Sequence, residues 1–331
     1  MRLLLAAGTA LVVLAACGGA EPDPVEEEQP VGFTNPVVDR DFPDPAVIEA
    51  DGQWWAYATN SRAGNVPVMT SPDLVTWESA GDAMPVLAPW VTGGRTWAPE
   101  IAVHGPARYV LYYTALGTAS GRQCVGRAVA TSPAGPFVDE SAEPMICQTD
   151  AGGSIDASPF TDADGARYLL WKNDGNAIGV DTWIYAQPLS PDGLTLEGAP
   201  VQLIKQDQPW EGTVVEAPFL WLRDGTYYLF YSANAYDRAE YAVGYAVCEG
   251  PLGPCRKPAE APLLASTEDA AGPGHCVLIE KDGRTWMVHH AWPPDSVGSA
   301  LPGRTMWLTE VRWDDGVPVL DGPRASVAAL P

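Results

Sequence analysis

Three carboxylic acids are each followed within three residues by proline: Asp44 in Asp41-Phe42-Pro43-Asp44-Pro45, Asp156 in Ile155-Asp156-Ala157-Ser158-Pro159 and Glu216 in Val215-Glu216-Ala217-Pro218. A pair of carboxyls, one protonated and one ionised, is the usual equipment for hydrolysing a glycosidic bond. Acids crowded into a narrow site lose hydration and repel one another, which raises the pKa of at least one and leaves it a proton to donate near neutral pH. On opposite walls of a channel, two such groups would stand about 6.5–9.5 Å apart, which admits a water and implies inversion; retention needs about 5–5.5 Å. Aspartate before proline also favours turn initiation. Three acids expected at one shared repeat position exceed what turn chemistry alone would select. Glu211, five residues before Glu216, sits in Trp210-Glu211-Gly212 and reads as a loop residue.

Other residues around these acids suit a sugar. Flat apolar ring faces stack on aromatic side chains while hydroxyls seek polar edges, and Trp97, directly before Ala98-Pro99-Glu100, is the best placed of the 13 tryptophans. His275 closes Gly272-Pro273-Gly274-His275, where an imidazole could bond a substrate hydroxyl or reach a metal through water. No second His or Cys stands at metal spacing, which argues against zinc. No cofactor is required, and the metal this pattern admits is a hydrated calcium held by oxygen ligands in a central channel.

Repeated hairpins must position these groups. Turns at Asp51-Gly52, Gly105-Pro106, Asp164-Gly165, Asp224-Gly225 and Asp282-Gly283 recur in steps of 54, 59, 60 and 58 residues. Each leads into an aromatic strand, such as Trp54-Trp55-Ala56-Tyr57 or Tyr227-Tyr228-Leu229-Phe230. Asp-Gly between such runs is a strong hairpin signal. A second marker falls half a repeat later, at Ser71-Pro72, Ser132-Pro133, Ser190-Pro191, Gly250-Pro251 and Asp315-Gly316. Two hairpins per repeat make four strands, and five such repeats predict an all-β, five-bladed β-propeller of four-stranded antiparallel blades around a central channel. First strands line the axis, so their starting residues should meet at one mouth.

The 331 residues carry 19 basic and 42 acidic side chains, a net charge of −23 that repels nucleic acid and anionic lipid and is compatible with a neutral polymer as partner. Residues 1–17 combine an early Arg, an apolar run and small residues before Cys17, an export signal of the lipoprotein type whose Cys would be acylated. Residues 18–34 are acidic and rich in Pro and Gly and read as a tether, leaving 35–331 as one propeller domain. The expected protein is therefore an exported, monomeric, surface-anchored one that meets the membrane only through its lipid. Export permits disulfides; Cys124 with Cys147 and Cys248 with Cys255 would each close a short loop within one blade, leaving Cys276 free and buried.

From about Asn35 to Pro318 these motifs resemble glycoside hydrolase family 43, whose members are five-bladed propellers that cleave arabinan, arabinoxylan and xylo-oligosaccharides with inversion. The likeness extends to Trp97-Ala98-Pro99-Glu100, Ser71-Pro72-Asp73-Leu74-Val75-Thr76-Trp77 and Gly303-Arg304. It implies Asp44 as general base, Glu216 as general acid and Asp156 as pKa modulator, with Phe42, Trp97, His275 and Arg304 touching substrate. Thr305 stands where the family often has a second basic residue. A chain ending at 331 leaves no room for the C-terminal β-sandwich of some β-xylosidases, so the resemblance tilts toward an endo-arabinanase or α-L-arabinofuranosidase acting on arabinose-containing polysaccharide. The alternatives are a β-xylosidase and a non-catalytic glycan-binding propeller.

Overall fold

The computed structural model describes residues 32–328, 330 and 331. The expected export signal, with Cys17, lies outside them, as does most of the expected tether. Four hydrogen-bonded four-stranded sheets follow the repeat: Ala46–Ala50, Gln53–Tyr57, Pro67–Ser71 and Glu78–Asp82 in the first blade; Ser154–Thr161, Arg167–Asn173, Trp183–Leu189 and Val201–Lys205 in the third; Val215–Arg223, Thr226–Ala233, Ala242–Cys248 and Cys255–Arg256 in the fourth; and Ala271–Lys281, Arg284–Trp292, Thr305–Asp314 and Val317–Leu320 in the fifth. In the second blade Val91–Val103, Tyr109–Gly117 and Gln123–Ala130 form a three-stranded sheet, and the fourth position is filled by a segment bridging at Val138 and Ile146. The molecule is a five-bladed β-propeller.

Every blade is a meander, each strand antiparallel to the next. The inner turns fall at the expected positions, and at Asp51-Gly52, Asp224-Gly225 and Asp282-Gly283 both residues are left-handed, as for Asp51 (φ 55°) and Gly52 (φ 74°). A two-residue turn of that hand matches the strand twist.

Alternation along each strand sends side chains into the two gaps beside its blade, so the core divides into five main blocks, one per gap. Tyr57 meets Tyr113 between blades one and two, Val110 meets Trp171 between two and three, and Leu170 meets Tyr231 between three and four. Phe230 meets Met287 between four and five, and Trp54 meets Trp286 between five and one. Burying each such side chain stabilises the ring by about 1.5–3 kcal/mol.

The ring is closed by the segment before blade one. Phe33–Thr34 pairs with Ser326–Val327, and the Asn35 amide donates to the Leu308 and Arg324 carbonyls while accepting from the Leu308 N–H. This corrects the tether boundary expected at residue 34. Phe33 is buried against Trp286, so the folded unit already includes it. Disulfides join Cys124 to Cys147 and Cys248 to Cys255, and Cys276 is free and buried. Glu211 is fully buried at the end of a one-turn 3-10 segment, where it accepts from the Asp207 and Gln208 N–H groups and the Tyr231 hydroxyl and pairs with Lys257.

Candidate active site

One residue near the inner end of each blade's first strand adopts left-handed backbone: Asp44 (φ 54°), Ala98 (φ 46°), Asp156 (φ 57°), Ala217 (φ 51°) and His275 (φ 47°). In blades two to five the strand register breaks beside it. Bulges of this kind re-aim side chains, and such backbone costs on the order of 1–3 kcal/mol per residue unless the surroundings hold it. Here the preceding blade holds each one. The Ala98 N–H donates to Thr59 Oγ1 (2.8 Å), Asp156 to Thr114 Oγ1 (3.1 Å), Ala217 to Asp156 Oδ2 (2.9 Å), His275 to Ser232 Oγ (2.8 Å) and Asp44 to His290 Nδ1 (3.2 Å). A circle of five hydrogen bonds thus ties the blades together at the axis.

This ring corrects one expectation. Asp44 and Asp156 occupy equivalent positions, but the equivalent residue of blade four is Ala217, so Glu216 stands one residue earlier, in register with Trp97. The bulge turns Glu216 into the same cavity nonetheless. That cavity, of about 290 Å³, is lined by Asp44, Asp156, Glu216, Trp97, His275 and Arg304, among others. Phe42 is not among them. It is 2% exposed and packs in the apolar block between blades one and five, so no face of it is open to a substrate. Glu100 is likewise buried and does not line the cavity.

Asp44 is gripped from several sides. Arg304 Nη1 donates to its Oδ1 (2.6 Å), the Thr59 hydroxyl donates to its Oδ2 (2.5 Å), and His275 Nδ1 lies 3.5 Å from Oδ1. Burial pushes the Asp44 pKa up, but the Arg304 guanidinium, helped by His275, outweighs it and holds the carboxyl well below the usual range. His290 is fully buried, which together with Arg304 drops its pKa to about 3, so its ring is neutral. Its Nδ1 lone pair accepts the Asp44 N–H, and its 3.3 Å approach to Oδ1 is therefore not an ion pair.

Asp156 has the opposite balance. Burial raises its pKa to about 6, with the Glu216 and Asp44 charges adding to the rise and His275 and Lys172 opposing it. Glu216 accepts from Lys172 Nζ at Oε2 (2.9 Å) and from the Tyr241 hydroxyl at Oε1 (2.7 Å). Burial and the Glu216 charge raise the Tyr241 pKa well above the ordinary phenol value, so it stays a donor. Gly274 makes room for this phenol, since a Cβ there would overlap the Tyr241 ring. Glu100, buried with Asp156 nearby, rises to about 8.

Among the described residues no group of three or more His, Cys, Asp or Glu side chains is arranged to hold a metal.

Sequence reasoning missed Thr59, Lys172, Asp174, Tyr236, Tyr241 and His290. A signal existed for three of them: eight residues past Asp51, Asp164, Asp224 and Asp282 stand Thr59, Lys172, Ser232 and His290. Four blades use this position, or Thr114 in blade two, to catch the next blade's strained N–H. Blade three puts Lys172 there. It reaches Glu216 instead, and Asp156 takes over the backbone bond. Tyr236 and Tyr241 come from the loop after blade four's second strand; Arg304 lies over the Tyr236 ring, 4.8 Å from its centre.

A propeller whose blades bring a clamped carboxylate, a second buried acid and a donor-bound glutamate to one sugar-sized cavity defines a glycoside hydrolase. The profile of the family described as "Glycosyl hydrolases family 43" matches residues 33–318, and the chain belongs to that family. It is 28% identical to an extracellular exo-α-(1→5)-L-arabinofuranosidase of Streptomyces chartreusis over 307 residues, covering 88% of this chain and 90% of that protein. It is 27% identical to a β-D-galactofuranosidase of Aspergillus niger, covering 77% and 75%. Among solved structures, a thermostable family-43 glycoside hydrolase superposes with a TM-score of 0.82 at 33% identity, covering 90% of this chain and 99% of the other.

Proposed function

We propose that this protein hydrolyses α-L-arabinofuranosidic bonds in arabinose-containing polysaccharide or its oligosaccharides, with inversion. The observation that carries the reading is the contrast inside one cavity between Asp44, clamped as a carboxylate by Arg304, and Glu216, seated between Lys172 and Tyr241 on another blade. Asp44 takes a proton from the water attacking the anomeric carbon while Glu216 delivers one to the departing oxygen. Asp156 acts on Glu216 in two ways. Its Oδ2 fixes the adjacent Ala217 N–H, and its repulsion of Glu216 keeps a proton in the pair. Trp97 and Tyr236 bring aromatic side chains to the cavity wall.

The sugar assignment draws on the two relatives, both named for furanosides; α-L-arabinofuranose and β-D-galactofuranose share a ring configuration and differ in the exocyclic carbon. Hydrolysis of aryl α-L-arabinofuranoside, aryl β-D-galactofuranoside, aryl β-D-xyloside and linear arabinan, with Asp44→Ala as control, tests the reading. Preference for the arabinosides supports it. Preference for the xyloside replaces it with β-xylosidase action, and binding without turnover replaces it with a glycan-binding module. Proton NMR of the first turnover should show the inverted anomer.

Two disulfides suit an oxidising compartment, in keeping with export through residues 1–17 and anchoring at an acylated Cys17. Mass spectrometry of the mature N-terminus tests this; an unmodified Cys17 would refute it.

A further inference from the structure

The strand Arg167–Asn173 of blade three ends at the cavity rim and continues into Asp174 and the one-turn 3-10 segment Gly175–Ala177. Asp174 is 8% exposed and lines the cavity. Its carboxyl makes no hydrogen bond to any described residue and does not cap the turn that starts beside it. The residue is buried overall, but its carboxyl oxygens are not among the enclosed polar atoms and keep access to the cavity, where a ligand could supply the partner.

Its place on the wall is also defined. Lys172, two residues before Asp174, bonds both Glu216 and Asn176 through its Nζ, which puts this stretch on the Glu216 side, whereas Arg304 clamps Asp44. Next to it, Asn176 lines the same cavity with its Oδ1 occupied by Lys172 Nζ (2.7 Å). That bond fixes the amide orientation and leaves the Asn176 NH2 with no acceptor among the described residues. An acceptor and a donor two residues apart match two neighbouring sugar hydroxyls, one donating and the other accepting.

We propose that Asp174 and the Asn176 amide form a hydroxyl-binding subsite for the sugar on the leaving-group side of the cleaved bond. The assignment rests on Glu216 being the group that protonates the departing oxygen. An aryl leaving group has no hydroxyl to place there, so the subsite serves sugar-linked substrates selectively.

The test compares Asp174→Ala and Asp174→Asn with the parent on an unsubstituted arabino-oligosaccharide and on the 4-nitrophenyl arabinofuranoside. Losing this bond should lower kcat/KM on the oligosaccharide about 10- to 100-fold in the alanine variant and less in the asparagine variant, with the aryl substrate changed by about twofold or less. Equal losses on both substrates, or none on either, overturn the subsite. Thermal melting separates this from a structural role. The alanine variant should melt no lower than the parent, because the carboxyl it removes has no partner among the described residues; a marked drop would mean the carboxyl serves the fold. If the parent cleaves neither substrate, the hydrolase reading fails by itself, and calorimetric titration with the arabino-oligosaccharide still decides the subsite. About tenfold weaker binding by Asp174→Ala supports it, and unchanged binding refutes it.

Discussion

Asp44 in blade one and Asp156 in blade three share a backbone conformation, a repeat position and nearly complete burial, yet their carboxyls are driven in opposite directions. Burial raises both. Asp44 has Arg304 bonded to it and Thr59 donating to its other oxygen, so it stays ionised. Asp156 has no guanidinium bonded to it and has the Glu216 charge as an electrostatic neighbour, so it holds its proton to higher pH. A fivefold repeat can deliver side chains to one mouth. What each then does is set by the non-repeating residues around it.

The largest effect should come from removing the clamped carboxylate. Asp44→Ala is expected to lower kcat by about 10³–10⁴-fold or more on every substrate, measured at saturation. Retention of substantial activity would mean that Asp44 is not the base. Glu216→Gln should cost about 10²–10⁴-fold on arabino-oligosaccharides but far less on an activated aryl arabinofuranoside, whose leaving group hardly needs a proton. Similar losses on both would contradict its role as acid.

Two substitutions sharpen the electrostatic half of the comparison. Asp156→Asn removes a negative neighbour of Glu216, and Lys172→Met removes a positive one. The alkaline limb of the kcat/KM profile should therefore move to lower pH in the first and to higher pH in the second, with rate losses of about 10- to 100-fold. Shifts in the same direction would show that neither charge tunes the acid.

A further effect concerns stability rather than rate. Glu100 is raised to about 8 from an ordinary 4.5, burial being the main cause. Between those values the folded state binds more protons than the unfolded one, so stability falls as pH rises through that window. Glu100→Gln should flatten the decline and, near pH 8, recover on the order of a few kcal/mol by denaturant titration. A parallel decline in the variant would place the titrating group elsewhere.

Much of the fold was legible because Asp-Gly turns and aromatic runs are local signals, and all five inner hairpins fall where they indicate. The meeting of Asp44, Asp156 and Glu216 at one cavity was legible too, since repeat position fixes which residues reach the axis. Their register was less so. Ala217, rather than Glu216, is the strained residue, and only the bulged backbone reveals that offset. Phe42 was misjudged for a related reason: proximity in sequence to Asp44 says nothing about which side of the chain faces the core. Lys172 and His290 stand at a fixed distance from the turns, but a lysine and a histidine replacing threonine or serine do not announce a shared position until the hydrogen bonds are seen. Tyr241 and Asp174 lie on irregular loops, whose paths no periodicity records.

The most direct test of the central claim is a carbon-13 NMR titration of side-chain-labelled aspartate, with Asp44→Asn and Asp156→Asn to assign the two signals. Asp156 should titrate near 6, while Asp44 should stay ionised to well below the usual 3.8. Two signals titrating together near 4 would show that the equivalent positions are also electrostatically equivalent, and would contradict the division of roles between them.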